Sequence, residues 1–329
     1  MESYYLFSSG ELRRKDNVLR LTAKDGRFKD LKVEMTQEIF LFGEIDLNTK
    51  CLDFSGRLGI PIHIFNYYGF YSGTYYPKES NVSGDLLVKQ ALAYADSEKR
   101  LEIAQQFIEA ASYNIVRNLR YYNNREKDLE EEIHQIKLLR KEITKTNDIQ
   151  MLMGTEGNIR KNYYGSWSKI INQEIDFKKR VKRPPDNMIN TLISFVNSLI
   201  YTTCLAEIYK TQLNATISYL HEPSSRRFSL CLDISEVFKP LIGDRLIFSL
   251  LNRGVLTEND FEQGSNFCYM KSAARMRVLQ AYDLRLKETI KHRTLGRNVT
   301  YRHLIRLECY KLIKHLMEDK KYEGFKIWW

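Results

Sequence analysis

Two periods divide the chain. Up to about residue 80, apolar and aromatic side chains come in short runs broken by turn residues. EIFLFGEIDL (38–47) and IPIHIFNYYGFYSGTYY (60–76) are rich in Ile, Phe and Tyr, and Asn66, Gly69 and Gly73 punctuate the second run as a hairpin does. These segments predict β-strands, and His63, alternating with Ile62 and Ile64, predicts one face of a strand. PKESNVSGD (77–85) reads as a linker. Beyond it the apolar positions recur every three or four residues. SNVSGDLLVKQALAYADSEKRLEIAQQFIEAASYNIVRNLRYY (80–122) contains no proline and predicts one or two long amphipathic helices. NNREKDLEEEIHQIKLLRKEI continues the pattern with a highly charged face on which His134 is solvated, and residues 147–171 predict a further helix. The pair Pro184-Pro185 followed by Asp186 predicts the first turn of the next helix, running through NMINTLISFVNSLIYTTCLAEIY. The expected fold class is α+β: a small β-rich N-terminal domain over 1–80, then a large all-α domain over 81–329.

Charge sharpens that division. The net charge is +10, yet residues 1–85 hold 11 Lys and Arg against 12 Asp and Glu, and the rest holds 40 against 29. A neutral head on a basic body suggests a polyanion-binding part and a part with another task, and nucleic acid is the leading polyanion. No window approaches 18 consecutive apolar residues, so no membrane span is expected. The N-terminus lacks a basic start followed by an apolar run, so no signal peptide is expected. The five cysteines form no CxxC pair, which argues against a zinc ribbon or a disulfide framework and fits the reducing cytoplasm; Cys204 and Cys231 read as core residues.

Candidate chemistry is concentrated in LHEPSSRRFSLCLDISE (220–236). His221 is followed by Asp233 and Glu236, spaced i, i+3 where a new helix is expected to begin, so both carboxylates are expected to point the same way. Two carboxylates and an imidazole suit a divalent ion but leave the set incomplete. Glu156, between Gly154 and Gly157 and followed by Arg160 and Lys161, is the best further donor. Each residue alone has an ordinary explanation: a solvated acid for Glu156, acids favoured at a helix N-terminus for Asp233 and Glu236.

Together these segments resemble the motifs of the CRISPR-associated protein 1 family, the integrase of spacer acquisition. GTEGNIRKNYYGSW is similar to its glutamate block. RVKRPPDNMINTLISFVNSLIY is similar to its Arg-Pro-Pro block, although Asp186 follows the prolines directly. HEPSSRRFSLCLDISEVFKPLIGDRL is similar to its histidine–acid block. The resemblance covers essentially the whole chain. It implies a metal-dependent DNA endonuclease and integrase that joins protospacer 3′-OH ends into the CRISPR array by transesterification. It further implies Mg²⁺ or Mn²⁺ held by Glu156, His221 and Glu236, with Asp233 as a further essential acid beside the metal. Its implied partners are double-stranded DNA (protospacer and CRISPR repeat), a second copy of the chain in a homodimer, and a CRISPR-associated protein 2 dimer contacted by the β-rich head. Glu236 stands where many relatives carry aspartate.

Two basic stretches are candidates for duplex contact. Residues 160–183 hold eight Lys and Arg, and residues 271–314 hold twelve. Candidate DNA contacts are Arg160, Lys161, Arg180, Arg183, Lys271, Arg275 and Arg277, with Arg226, Arg227 and Lys239 nearest the scissile phosphate. Tyr163 and Tyr164 either stack on bases or pack in the core. Two other readings stay open: a DNA-binding scaffold without catalysis, and a repair nuclease for branched DNA.

Overall fold

The computed structural model describes residues 2–175, 177, 179–223, 228–318 and 320–328. Contacts divide the chain into two compact units, Met1–Ser80 and Asn81–Trp329.

The first unit holds strands β1 (Glu2–Leu6), β2 (Gly10–Lys15), β3 (Val18–Ala23), β4 (Phe28–Lys32), β5 (Thr36–Leu41) and β6 (Ile45–Leu47), helix α1 (Thr49–Arg57), and strands β7 (Ile62–Phe65) and β8 (Tyr71–Tyr75). They form two four-stranded sheets, ordered β1-β5-β7-β8 and β4-β3-β2-β6. Alternation places Leu12, Leu19 and Leu31 fully inside the core of this unit. The β7–β8 hairpin turns at Asn66, whose side-chain oxygen accepts from the backbone N–H groups of Tyr68 and Phe70, and at Gly69 with φ +84°. Gly73 lies within β8 rather than in a turn. His63 is on a strand but buried, with Nδ1 2.8 Å from the Thr74 hydroxyl and Nε2 3.4 Å from buried Glu38. Helix α1 is an addition to the predicted strands. Asn48 caps it by accepting from Cys51 N–H.

The second unit is mainly helical, as the 3.6-residue period requires. The expected long helical segment is two helices, α2 (Gly84–Ala95) and α3 (Ser97–Asn123), divided at Asp96, which caps the second by accepting from Glu98 and Lys99 N–H. Then come α4 (Glu130–Glu142), with His134 on its exposed face, α5 (Ile149–Gly165), α6 (Trp167–Ile170), α7 (Met188–Tyr209), α8 (Ser229–Phe238), a π-helical turn at Lys239–Asp244, α9 (Arg245–Asn252), α10 (Ser272–Lys287) and α11 (Tyr301–Leu316). Two short hairpins interrupt them: β9 (Phe261–Gln263) with β10 (Cys268–Met270), and β11 (Thr289–Lys291) with β12 (Asn298–Thr300). An all-α second domain is therefore corrected to a mainly helical one. The prolines do not form the first turn of α7. The helix starts at Met188 and Asn187 caps it, accepting from Asn190 N–H, while Pro184 and Pro185 precede the cap.

Helix α7 is apolar on nearly every face because α8 and α11 pack on it. It is long and apolar enough to cross a membrane by length and composition alone, but 83% of its most apolar window is buried inside the protein. Cys204 and Cys231 lie in this core, as expected. Glu207, at the end of α7, is fully buried. Arg302 reaches it at 2.6 Å, Arg306 at 2.6 Å and Lys210 at 3.1 Å. Burial alone would raise its carboxyl, and the three cations outweigh burial and lower it. Replacing Glu207 with Ala removes the buried carboxylate that Arg302, Arg306 and Lys210 share, and unfolding free energy is expected to fall by about 3–5 kcal/mol, checked by urea titration.

Candidate metal and phosphate site

Helix α5 starts at Asp148, whose side chain accepts from Met151 N–H, and carries Glu156 two turns on. Beyond the helix's own backbone and the adjacent residues, no described atom lies within 4 Å of where a Cβ would sit on Gly154 or Gly157, so the flanks of Glu156 are open. Arg160, one turn later, is buried. Its Nε donates to Glu156 at 3.1 Å and an η nitrogen donates to Glu236 at 2.5 Å. Lys239 closes on the other Glu236 oxygen. One buried carboxylate is thus held between an arginine and a lysine. Burial pushes Glu236 up, and Lys239, Arg160 and His221 outweigh burial, so its pKa lies well below the usual carboxylate range.

Asp233 and Glu236 have different hydrogen-bond partners. Helix α8 begins at Ser229, four residues earlier than expected, so neither acid is at a helix start. Asp233 is fully buried and turns to the chain before it. Its oxygens accept from the N–H groups of Tyr219 at 2.7 Å, Leu220 at 3.0 Å and His221 at 3.0 Å, and one lies 2.9 Å from His221 Nδ1. These bonds hold the segment before α8 and orient the imidazole, leaving Nε2 to face a ligand. Burial tends to lower the His221 pKa. The Asp233 hydrogen bond and the charges of Asp233 and Glu236 prevail and raise it.

Lys182 and Asp244 join this neighbourhood without having been singled out in the sequence. Burial lowers the Lys182 pKa, and Arg180 and Lys239 lower it further, while Glu236 and Glu156 oppose the shift. Its place between Arg180 and Arg183 in RVKRPP was the available signal. Asp244, at the end of the π-helical turn, is pushed up to about 7 by burial, against the pull of Arg160, Tyr163 and Lys239. Only its fold neighbours mark it.

The candidate DNA contacts separate into different environments. Lys161, Arg183 and Lys271 are exposed. Arg180 is half-buried and donates to Val181 O, Asn190 and Ser194 Oγ, tying the segment before α7 to that helix. Arg160, Tyr163 and Arg275, expected as DNA contacts, are buried. Tyr163 packs edge-on against Trp167, and Tyr164 packs against Trp167 and Phe177, so core packing accounts for both. Arg277 pairs with Asp260, and its exposed partners in the 271–314 stretch are fewer than the count suggests because Arg302 and Arg306 hold Glu207. Arg226 and Arg227 lie outside the described residues.

Among the described residues no three His, Cys, Asp or Glu side chains form a ready metal cage. The donors nevertheless fit a divalent ion in type: an imidazole whose Nε2 has no hydrogen-bond partner among the described residues, the accessible Glu156 carboxylate and Glu236. The charge that such an ion would supply to Glu236 is supplied here by Arg160 and Lys239, so ligation requires exchange of one of these contacts.

A β-rich unit followed by a helical unit that gathers two glutamates, an oriented imidazole and several cations has the layout of an enzyme for anionic substrates. A family model for CRISPR associated protein Cas1 matches residues 4–284. A CRISPR-associated endonuclease Cas1 of Fusobacterium nucleatum subsp. nucleatum is 55% identical over 327 residues, covering 99% of this chain and 97% of that protein. A CAS1 protein from Thermotoga maritima has the same structure at a TM-score of 0.89 and 40% identity, covering 99% of this chain and 100% of that one. A casposase bound to integration product shares the fold at a TM-score of 0.88 and 22% identity, covering 98% of this chain and 93% of that one. The chain belongs to the Cas1 family of CRISPR-associated endonucleases.

Proposed function

We propose that this chain is a metal-dependent DNA endonuclease and integrase of CRISPR adaptation, joining protospacer 3′-OH ends into the array. The observation that carries the reading is the Glu156–Arg160–Glu236–Lys239 array, closed by His221 oriented on Asp233. Glu156, His221 and Glu236 would hold Mn²⁺ or Mg²⁺. When bound, the ion polarises the phosphoryl oxygen and stabilises the leaving alkoxide. Asp233 fixes the imidazole and keeps Nε2 presented. Lys239, once released from Glu236, and Lys182 would take the phosphate. Lys161 and Arg183 supply exposed positive charge along the backbone. With a DNA hydroxyl as nucleophile the site joins strands, and with water it cleaves them.

The neutral first unit is proposed for self-association and for contact with a CRISPR-associated protein 2 dimer. Its sheets end on β1, β8, β4 and β6, whose edges are available for pairing. The five free, buried thiols fit a reducing cytoplasm.

The test is joining of a short 3′-OH duplex to supercoiled plasmid with Mn²⁺, with and without EDTA, for wild type and His221→Ala. Metal-dependent joining lost in the variant is the expected result. One observation favours a second reading, a DNA-binding scaffold: Glu236 is already neutralised by protein cations. Salt-sensitive duplex binding without cleavage under any metal would establish the scaffold and overturn the enzyme.

Ligation needs a neutral imidazole. Because the His221 pKa is raised, protons compete with the ion from a higher pH than for an ordinary histidine. Joining is therefore expected to fall on acidification, with a midpoint higher than an ordinary histidine would set at the same metal concentration. Asp233→Asn moves that midpoint down, which a pH series at fixed metal reads directly.

A further inference from the structure

The turn that follows α8 sets the place of Lys239, and it is held from outside. Pro240 has no N–H, so the carbonyl of Glu236, four residues earlier, has no donor at that position, and the chain passes here from α8 into the π-helical turn Lys239–Asp244. Two amides of α3 reach this stretch. Asn114 Nδ2 donates to Val237 O at 3.1 Å, and Asn118 Nδ2 donates to Pro240 O at 2.7 Å. The two asparagines are spaced i, i+4, so they share one face of α3, and both are fully buried. Their carbonyl partners bracket Lys239, the residue that closes on Glu236.

The remaining bonds of each amide anchor it to other elements. Asn118 Oδ1 accepts from Arg245 Nε at 2.6 Å, and its Nδ2 is 3.3 Å from the Tyr163 hydroxyl. Tyr163 stands on α5, three residues beyond Arg160, whose guanidinium reaches both Glu156 and Glu236. Asn114 also donates to Phe325 O at 3.0 Å and accepts from Ile327 N–H at 2.9 Å. An apolar side chain would pack in either place without the cost of burying an amide. What only the amide supplies is a donor at a fixed point, and in both residues that donor falls on the stretch that carries Lys239.

We propose that Asn114 and Asn118 are positioning residues of the carboxylate site. By fixing Val237 O and Pro240 O they set the direction in which Lys239 leaves the turn. That keeps its ammonium on Glu236 and, after exchange, delivers it to the phosphate. The part played at the phosphate rests on the reading of this chain as a DNA enzyme, and the hold on Glu236 does not. Asn118 is the better probe, because its partner follows Lys239 whereas Val237 adjoins Glu236 itself.

Two variants remove the donor to Pro240 O: Asn118→Asp, which keeps an acceptor for Arg245, and Asn118→Leu, which adds no charge. Acetylation of the full chain by acetic anhydride in EDTA, mapped by mass spectrometry, reads Lys239 against Lys210. The two lysines are matched: their side chains are 16% and 22% exposed, and each pairs with a buried glutamate three residues earlier. Lys239 is expected to react at least about fivefold faster in both variants, because an amine away from its carboxylate loses its proton more readily, while Lys210 changes less than about twofold. Joining at saturating Mn²⁺ is expected to lose at least about tenfold in kcat with the KM for duplex changed less than about threefold, the pattern of a group needed in the transition state. Unchanged Lys239 reactivity overturns the proposal. So does an equal rise at Lys239 and Lys210, which would mark general loosening of the fold. A melting temperature accompanies each variant, and if one fails to fold the other decides. A rise in KM with kcat unchanged overturns the role at the phosphate. Faster acetylation of Lys239 in a chain that joins no DNA under any metal overturns the enzymatic reading and leaves the hold on Glu236 in place.

Discussion

Glu156→Ala is expected to abolish metal-dependent joining of a 3′-OH duplex to plasmid DNA while the protein stays folded. The two halves of this expectation have separate grounds. Glu156 is the most accessible of the site's acids: its side chain is 21% exposed, and among the described residues its ion pair is with Arg160. Arg160 keeps its contact with Glu236 when Glu156 is removed, so no buried charge is left alone. Stability should therefore change little, as for other partly exposed positions. Activity should fall by more than about 100-fold, since even loss of an outer partner of a metal ligand costs 10–100-fold. Joining assays at a fixed Mn²⁺ concentration, with a thermal melt alongside, measure both. A variant that joins DNA at the wild-type rate would remove Glu156 from the ligand set.

Arg160→Met is expected to lower stability strongly. The guanidinium is buried and joins Glu156 on α5 to Glu236 on α8. Methionine fills much of the volume but leaves the Glu236 carboxylate, among the described residues, with Lys239 as its remaining ion-pair partner in a dry setting. Removing one partner of such a pair costs about 3–5 kcal/mol. At roughly 2–4 °C per kcal/mol for a unit of this size, the melting temperature should drop by about 6–20 °C. Asp244, held down by Arg160 more than by any other group, should rise above its present value of about 7 and become mostly neutral. The pH dependence has a definite sign. The Glu236 pKa is depressed in the folded state, so its contribution is present above the unfolded value of about 4.3 and is lost as the pH falls through the folded value. The gap between wild type and variant should narrow in acid. An equal melting temperature at neutral pH would show that Arg160 carries no compensating charge.

Both predictions turn on residues that the chain separates widely, and this shows how far a linear reading reaches. The periods of two and of three to four located the β-rich head and the helices because each element buries one face, and burial imprints its spacing locally. Helix α1 escaped because it lies between two strand runs, and its only sharp signal is the Asn48 cap. The start of α8 escaped because SLCL reads equally as strand or helix until a core receives it. The motif residues Glu156, His221, Asp233 and Glu236 were recognised as chemistry before any geometry, since their types and order are local.

Their directions were not local. An i, i+3 spacing says that two carboxylates share a helix face, but Asp233 is claimed by three backbone N–H groups at Tyr219, Leu220 and His221, and Glu236 by Arg160. Those donors come from another turn of chain and another helix, and burial makes an unpaired acid too costly to leave facing elsewhere. Charge misled in the same way. Counting basic residues in 160–183 and 271–314 measured an excess, while the fold spent Arg160, Arg302 and Arg306 on buried glutamates and set Arg245 and Arg253 around a separate groove. The amino-acid sequence by itself determined which elements form, which family the chain resembles and which side chains can ligate or attract phosphate, because these depend on residue type and short-range period. Only the tertiary structure decided which acids face one another, which cations are already paired and which remain open to a ligand, because desolvation makes each buried charge choose a partner from distant parts of the chain.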